Sequence, residues 1–136
     1  MTISDPIADM LTKIRNSILI KKKEVVIGYS KIKEGIIDAF LRLGFISNYE
    51  VFEETNRKYI KVFLKYVNRK PVIEKIIRNS KPSCREYTSL LEIKKKKAYG
   101  IEPQHAVFIL STSKGVLSKA EAQEKGIGGE KLCTIW

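Results

Sequence analysis

The chain reads as an α+β protein of two small domains, an N-terminal αβαββ layer over residues 1–66 and a C-terminal, mostly β domain over residues 67–136 with one short helix. Three observations predict this. Apolar residues recur at helical spacing in two early segments, the pattern then switches to strict alternation across a hairpin, and after a polar, proline-ended stretch only short extended runs follow. The 136 residues are 43% hydrophobic and 30% charged, enough to build ordinary cores.

Ser4-Asp5-Pro6 combines a capping residue, an acid and an early proline, and it opens the series Ile7, Met10, Leu11, Ile14, Ile18. That is an amphipathic helix with Asp9, Lys13, Arg15 and Asn16 toward water, ending near Lys21-Lys22-Lys23. The lysine triplet serves equally as a solvated turn or as a phosphate contact. Val25-Val26-Ile27 forms a short strand. Ser30 then caps a second helix with Ile32, Ile36, Ile37, Phe40 and Leu41 inward, stopped by Gly44. Residues 45–54 and 57–66 form a hairpin turning at Thr55-Asn56, with Ile60, Val62, Leu64 and Tyr66 on one face.

Val67-Asn68-Arg69-Lys70-Pro71 reads as the linker between domains. Beyond it come an extended Val72 to Arg78, a turn at Ser80-Lys81-Pro82, a strand around Arg85-Glu86-Tyr87, a lysine-rich Lys94 to Lys97, and a buried strand Ala106 to Leu110. Ser118-Lys119-Ala120-Glu121 spells a capping box that starts a short helix before Gly126, and Glu130 to Trp136 is a closing strand.

Charge narrows the function. There are 26 Lys+Arg against 15 Asp+Glu, a net charge of +11, which points to a polyanion partner. Residues 67–136 are the more basic half, with 14 basic and 7 acidic residues against 12 and 8 in residues 1–66. The longest apolar run, Ala106 to Leu110, is far below the roughly 20 residues of a membrane span, and no signal-peptide apolar region follows Met1. Cys84, Cys133 and the single His105 lack metal-ligand spacing, so no metal, cofactor or disulfide is expected. Neither thiol has an identifiable base beside it, and no phosphate loop or carboxylate pair suggests catalysis on a small-molecule substrate.

Ser111-Thr112-Ser113-Lys114-Gly115 follows the buried strand and clusters hydroxyls, an ammonium and a glycine. Such short side chains suit the shallow minor groove of A-form RNA. On side-chain chemistry alone a tight Ser/Thr turn is the more common explanation.

The ordered set Ser111 to Val116, Glu121-Ala122, Gly126-Ile127-Gly128-Gly129-Glu130 and Leu132-Cys133-Thr134-Ile135-Trp136 resembles the C-terminal signature of the bacterial-type ribosomal small-subunit protein eight family. Asp5 to Asn16 is similar to that family's opening helix, and Pro71-Val72-Ile73, Ser80-Lys81-Pro82 and Arg85-x-Tyr87 to its central segment, so the likeness spans nearly the whole chain. It implies a structural, non-enzymatic RNA-binding protein that holds the central domain of small-subunit ribosomal RNA during assembly. Ser111, Thr112 and Ser113 would reach base edges and sugars, Lys114 phosphate, with Gly115 in the same loop and Gly128, Gly129 and Glu130 beside it. Glu130 would accept from a base or, as repulsion from phosphates favours, hold the loop from behind.

The resemblance also implies backbone contacts at Asp5, Arg15, Asn16, Ser30 and Lys31, and further contacts at Lys81, Arg85 and Tyr87, the last either stacking or packed on the core. Partners would be small-subunit ribosomal RNA and neighbouring small-subunit proteins, in a bacterial cytoplasm or an organelle. A translational regulator binding a messenger RNA, and a nonspecific nucleic-acid-binding protein, are the competing readings. The chain departs from the family at Pro82-Ser83-Cys84, where relatives carry Pro-Gly, and at Gly100 to His105, where they carry a glycine-rich approach.

Overall fold

The computed structural model describes residues 5–80, 82, 85–89 and 105–136, and its contacts divide the chain into two compact units, residues 6–74 and residues 75–136 together with the first five. Lys81, Cys84, the Ser4 cap, Lys94 to Lys97 and Gly100 to Gln104 lie outside the described residues.

In the first unit, α1 (Pro6–Leu19) and α2 (Lys31–Arg42) cover one face of an antiparallel sheet built from β1 (Glu24–Gly28), β2 (Ile46–Glu54) and β3 (Arg57–Leu64) in the order β1-β3-β2. Ile7, Met10, Leu11 and Ile14 of α1 and Ile36, Ile37 and Phe40 of α2 pack on Ile27, Ile46, Ile60, Val62 and Leu64, all buried. Ile18 and Leu41 are half-buried, and Ile32, expected inward, is exposed, because each sits at a helix end with fewer neighbours. The Ser30 hydroxyl caps α2 by accepting from Lys33 N–H at 3.2 Å. The Tyr49 hydroxyl donates to Asp38 Oδ1 at 3.2 Å, and Asp38 also holds Arg42, which ties β2 to α2.

The hairpin turn is the one the spacing predicts, with a cost. Thr55 (φ 52°) and Asn56 (φ 62°) are both left-handed, as a two-residue hairpin loop demands. Asparagine tolerates that region and a β-branched threonine does not.

Two expectations are corrected here. Tyr66 does not continue the inner face of β3; it opens β4 (Tyr66–Val67), and its hydroxyl donates to the Lys22 carbonyl at 2.5 Å. Residues 67–71 are not a linker, because β4 pairs with β5 (Lys70–Pro71) around Asn68 (φ 53°) and Arg69 (φ 67°). The proline sits on a two-residue ladder, where a missing donor is tolerated. The contact boundary therefore falls at Glu74/Lys75, beyond residue 66.

The second unit is a mostly β layer centred on β10 (Gly129–Ile135). β8 (Val107–Thr112) pairs along one side of it, and β9 (Gly115–Ser118) pairs with β8. β6 (Ile76–Arg78) pairs with residues 133–135 of β10, and β7 (Tyr87–Thr88) with residues 129–130. The short helix α3 (Lys119–Lys125) starts with the complete Ser118/Glu121 capping box and places Ala122 on Leu110, with Phe108 alongside. Asp5 belongs here by its contacts: its carboxylate receives Arg78 Nε at 3.1 Å, while Arg78 Nη1 donates to the Leu132 carbonyl at 2.6 Å.

Two outcomes follow from these placements. Thr55→Asn relieves a left-handed β-branched residue and raises stability by about 0.5–1 kcal/mol, read as a higher thermal midpoint. Burial pushes the Cys133 thiol up to about 12 from its model-compound value of 9.0. Between those values the unfolded chain releases the proton while the folded chain keeps it, so stability is lost as pH rises through that window. A Cys133→Ala variant loses less stability than the parent between those pH values in chemical denaturation.

Candidate nucleic-acid interface

The hydroxyl segment is the tip of the β8–β9 hairpin. Ser111 and Thr112 complete β8, Ser113 and Lys114 make the turn, and Gly115 opens β9 with φ 103°, a conformation open to glycine at little cost. Thr112 pairs with Gly115 across the ladder. Its side chain holds the turn together: Oγ1 donates to the Gly115 carbonyl at 2.7 Å and accepts from Lys114 N–H at 3.2 Å. The tight Ser/Thr turn and the exposed polar cluster are thus one object. Thr112 spends its hydroxyl inside the tip, and Ser113 and Lys114 are the exposed side chains it presents.

The base of the hairpin is fixed by an unusually close approach. A Cβ on Gly129 would stand 2.2 Å from the Ser111 carbonyl oxygen and 3.1 Å from Thr112 Cγ2. No side chain fits there. The absence of a Cβ at residue 129 lets β10 press against β8 where the hydroxyl segment begins.

Next along β10, Glu130 pairs with Ser111 on one side and with Tyr87 on the other, so the three side chains stand on one sheet face. The Glu130 carboxylate is occupied: Oε2 accepts from Ser80 Oγ at 2.7 Å and from Arg85 Nη1 at 3.1 Å. Ser80, fully buried, also accepts from Glu86 N–H at 3.1 Å. Of the two roles weighed for Glu130, this geometry is that of a brace: it ties the start of β10 to residues 80–86. Arg85 is correspondingly held by Glu130. Tyr87 is 69% exposed, an aromatic face across β10 from Ser111 and not a core side chain.

The second unit thus brings together Ser111 to Gly115, Gly129, Glu130, Arg85 and Tyr87, with half-buried Gly128 just before β10. The other sequence candidates are elsewhere. Asp5 is taken up by Arg78, with only 17% of its side chain exposed. Arg15 folds back on its own helix, donating through Nη2 to Thr12 Oγ1 at 3.2 Å and through Nε to the Leu11 carbonyl at 3.4 Å. Asn16 is exposed on α1, and Ser30 and Lys31 are at the start of α2 in the first unit.

Two supporting groups escaped the sequence reading. Ser80 was legible only as a turn residue, since nothing local foretells its partner fifty residues on. Lys119 and Lys131 converge on the Phe108 ring, their Nζ atoms 5.2 and 4.8 Å from its centroid, a pairing that only the β8–β10 register creates. His105 is an exposed turn residue, and among the described residues no group of side chains is arranged to hold a metal.

The sequence pattern described as Ribosomal protein S8 matches residues 5–136. The chain is similar to the small ribosomal subunit protein uS8 of Dictyoglomus turgidum, 46% identical over 136 residues covering all of both chains. It is 41% identical to the protein of that name from Geobacter sulfurreducens, again over the full length of both. It is also 44% identical to small ribosomal subunit protein uS8c of Phaeodactylum tricornutum, over 98% of this chain and 99% of that one.

The Gly129 contact yields a sharp expectation. Gly129→Ala must separate β10 from β8, costing about 2–3 kcal/mol in urea unfolding, as overpacking a tight site does. The amide resonances of Ser111 and Thr112 shift with it.

Proposed function

Because the chain belongs to the ribosomal protein S8 family, we propose that it binds the central domain of small-subunit ribosomal RNA through the β8–β9 hairpin tip and supports assembly of that domain. Family membership itself makes the chain a structural constituent of the small ribosomal subunit and not an enzyme.

The observation that carries the proposal is the pre-organised tip: Thr112 fixes it from within, Gly129 and Glu130 fix its base, and Ser113, Lys114 and Gly115 are left exposed. A rigid tip of short side chains enters a shallow minor groove without losing much conformational freedom, and its hydroxyl meets 2′-OH groups and base edges. Lys114 supplies charge to phosphate. Tyr87, exposed on β7 across β10 from the hairpin, offers a plane to an unpaired base.

Lys81 and Arg85 are proposed to add positive potential around this unit, and Gly128, Gly129 and Glu130 to position the tip. In the first unit, Arg15, Asn16, Lys31 and the Ser30 start of α2 are proposed as sequence-independent backbone contacts, which fix register more than they select sequence. The two units then divide the labour, residues 75–136 selecting the RNA. Neighbouring small-subunit proteins complete the set of partners. The bacterial relatives and the uS8c relative of Phaeodactylum tricornutum support a ribosome of either a bacterial cytoplasm or an organelle. Binding a messenger RNA that mimics the ribosomal site uses the same tip and is compatible with this reading.

The test is equilibrium binding to a central-domain ribosomal RNA fragment and to a scrambled duplex of equal length, across a salt series. Ser113→Ala weakens binding to the central-domain fragment alone, by about 1 kcal/mol, with the salt slope unchanged. Lys114→Ala weakens binding to both RNAs and lowers the slope by about 1. Thr112→Ala loosens the tip and reduces selectivity without removing charge. Equal affinity of the parent protein for both RNAs, insensitive to these changes, would refute a selective role for the tip and leave a nonspecific polyanion binder.

A further inference from the structure

β1 is one of the two outer strands of the first unit's sheet and pairs with β3. The ladder fixes which of its backbone groups are used. The Lys23 carbonyl accepts from Leu64 N–H at 2.8 Å, and Tyr29 N–H donates to the Lys58 carbonyl at 3.1 Å. Partners alternate along an antiparallel ladder, so residues 23, 25, 27 and 29 turn their N–H and C=O groups to β3. Glu24 and Val26 turn theirs the other way, along the open edge.

A depression of about 700 Å³ runs beside this strand, and Lys13, Ile20, Lys22, Lys23, Glu24 and Val26 are among its lining residues. Its charge is one-sided, with three ammonium groups against the Glu24 carboxylate. Its apolar part is aliphatic: Ile20 is 67% and Val26 42% exposed, and Leu19 next to the depression is 79% exposed. The lysines would serve phosphate or carboxylate alike, but the aliphatic groups between them give a nucleobase no plane to stack on, and an open strand edge offers a polypeptide the backbone pairing a nucleic acid lacks. An open strand edge with cations and aliphatic groups beside it suits polypeptide.

We propose that the β1 edge docks an extended segment of a partner protein in which acidic and aliphatic residues alternate. Its backbone pairs with Glu24 and Val26, extending the sheet by one strand. Its carboxylates meet Lys13, Lys22 and Lys23, and its aliphatic side chains cover Ile20 and Val26. This surface is separate from the hairpin tip assigned to RNA, although Asn16, proposed above as a backbone contact, also lines the depression.

The experiment titrates the isotope-labelled full-length chain with a short acetylated peptide of alternating Glu and Val, the same peptide with Lys for Glu, and a short RNA duplex. The Glu/Val peptide shifts the Glu24 and Val26 amides and the Lys/Val peptide leaves them unmoved. Val26→Pro removes an edge-facing donor while keeping the β3 ladder, and it weakens peptide binding at least about tenfold with binding to the ribosomal RNA fragment unchanged. Should that proline disturb the fold, Lys22→Glu with Lys23→Glu leaves the edge intact and lowers peptide affinity by a similar factor. Undiminished peptide binding by the folded variants, or no shift at the edge amides, overturns the proposal. Stronger perturbation of the same amides by the duplex also overturns it and reassigns the surface to nucleic acid.

Discussion

The second unit depends on the approach of Gly129 to the backbone of Ser111. β10 is paired on both sides, with β6 and β7 along one edge, and its approach to β8 along the other sets where the β8–β9 hairpin stands. A missing Cβ at one position brings the two backbones together at the foot of the hairpin, and Glu130, next in sequence, braces the opposite side through Ser80 and Arg85. The tip is thereby held at its root by strand contact and at its end by the Thr112 hydroxyl. A loop built this way is shaped before any partner arrives. The serine, lysine and glycine that remain exposed are small or flexible enough to need no further room.

Most of the local structure was legible because it is written in short-range signals. Both long helices, the Ser30 cap, the Ser118/Glu121 capping box and the Thr55-Asn56 turn follow from spacing and from side-chain chemistry within a few residues. The linker reading failed for an equally physical reason. Asn68-Arg69 between Val67 and Lys70 has the polarity of a connection, but asparagine and its neighbour adopt left-handed backbone and make a hairpin that pairs Tyr66 with Pro71. Composition separates polar loops from apolar strands; it does not separate a loop from a tight turn with two-residue arms.

The site was legible in part. The Ser111 to Gly115 cluster stood out by its chemistry, with a tight turn as the commoner explanation, and the glycine pair entered through the likeness to a family; the register brings them together. Their roles were not readable. That the Thr112 hydroxyl bonds within its own turn is a local fact of geometry, whereas the bonds of Glu130 to Ser80 and of Asp5 to Arg78 join segments far apart in sequence. A single chain carries no local trace of such pairings, whereas the likeness to a family supplied the grouping without its mechanics.

The Asp5–Arg78 ion pair has a consequence for how the chain comes into being. Its partners are 73 residues apart, and everything between Pro6 and Glu74 belongs to the other compact unit. During synthesis from the N-terminus, the first unit has all its strands and helices before Arg78 exists. Asp5 must therefore wait, solvated, until the later unit is made. When that unit folds, the loop to be closed is an already folded body and not a free chain, so far less entropy remains to be lost than for an open loop of that length. The first described residue of the nascent chain thus finds its partner only after all of the first unit has been made.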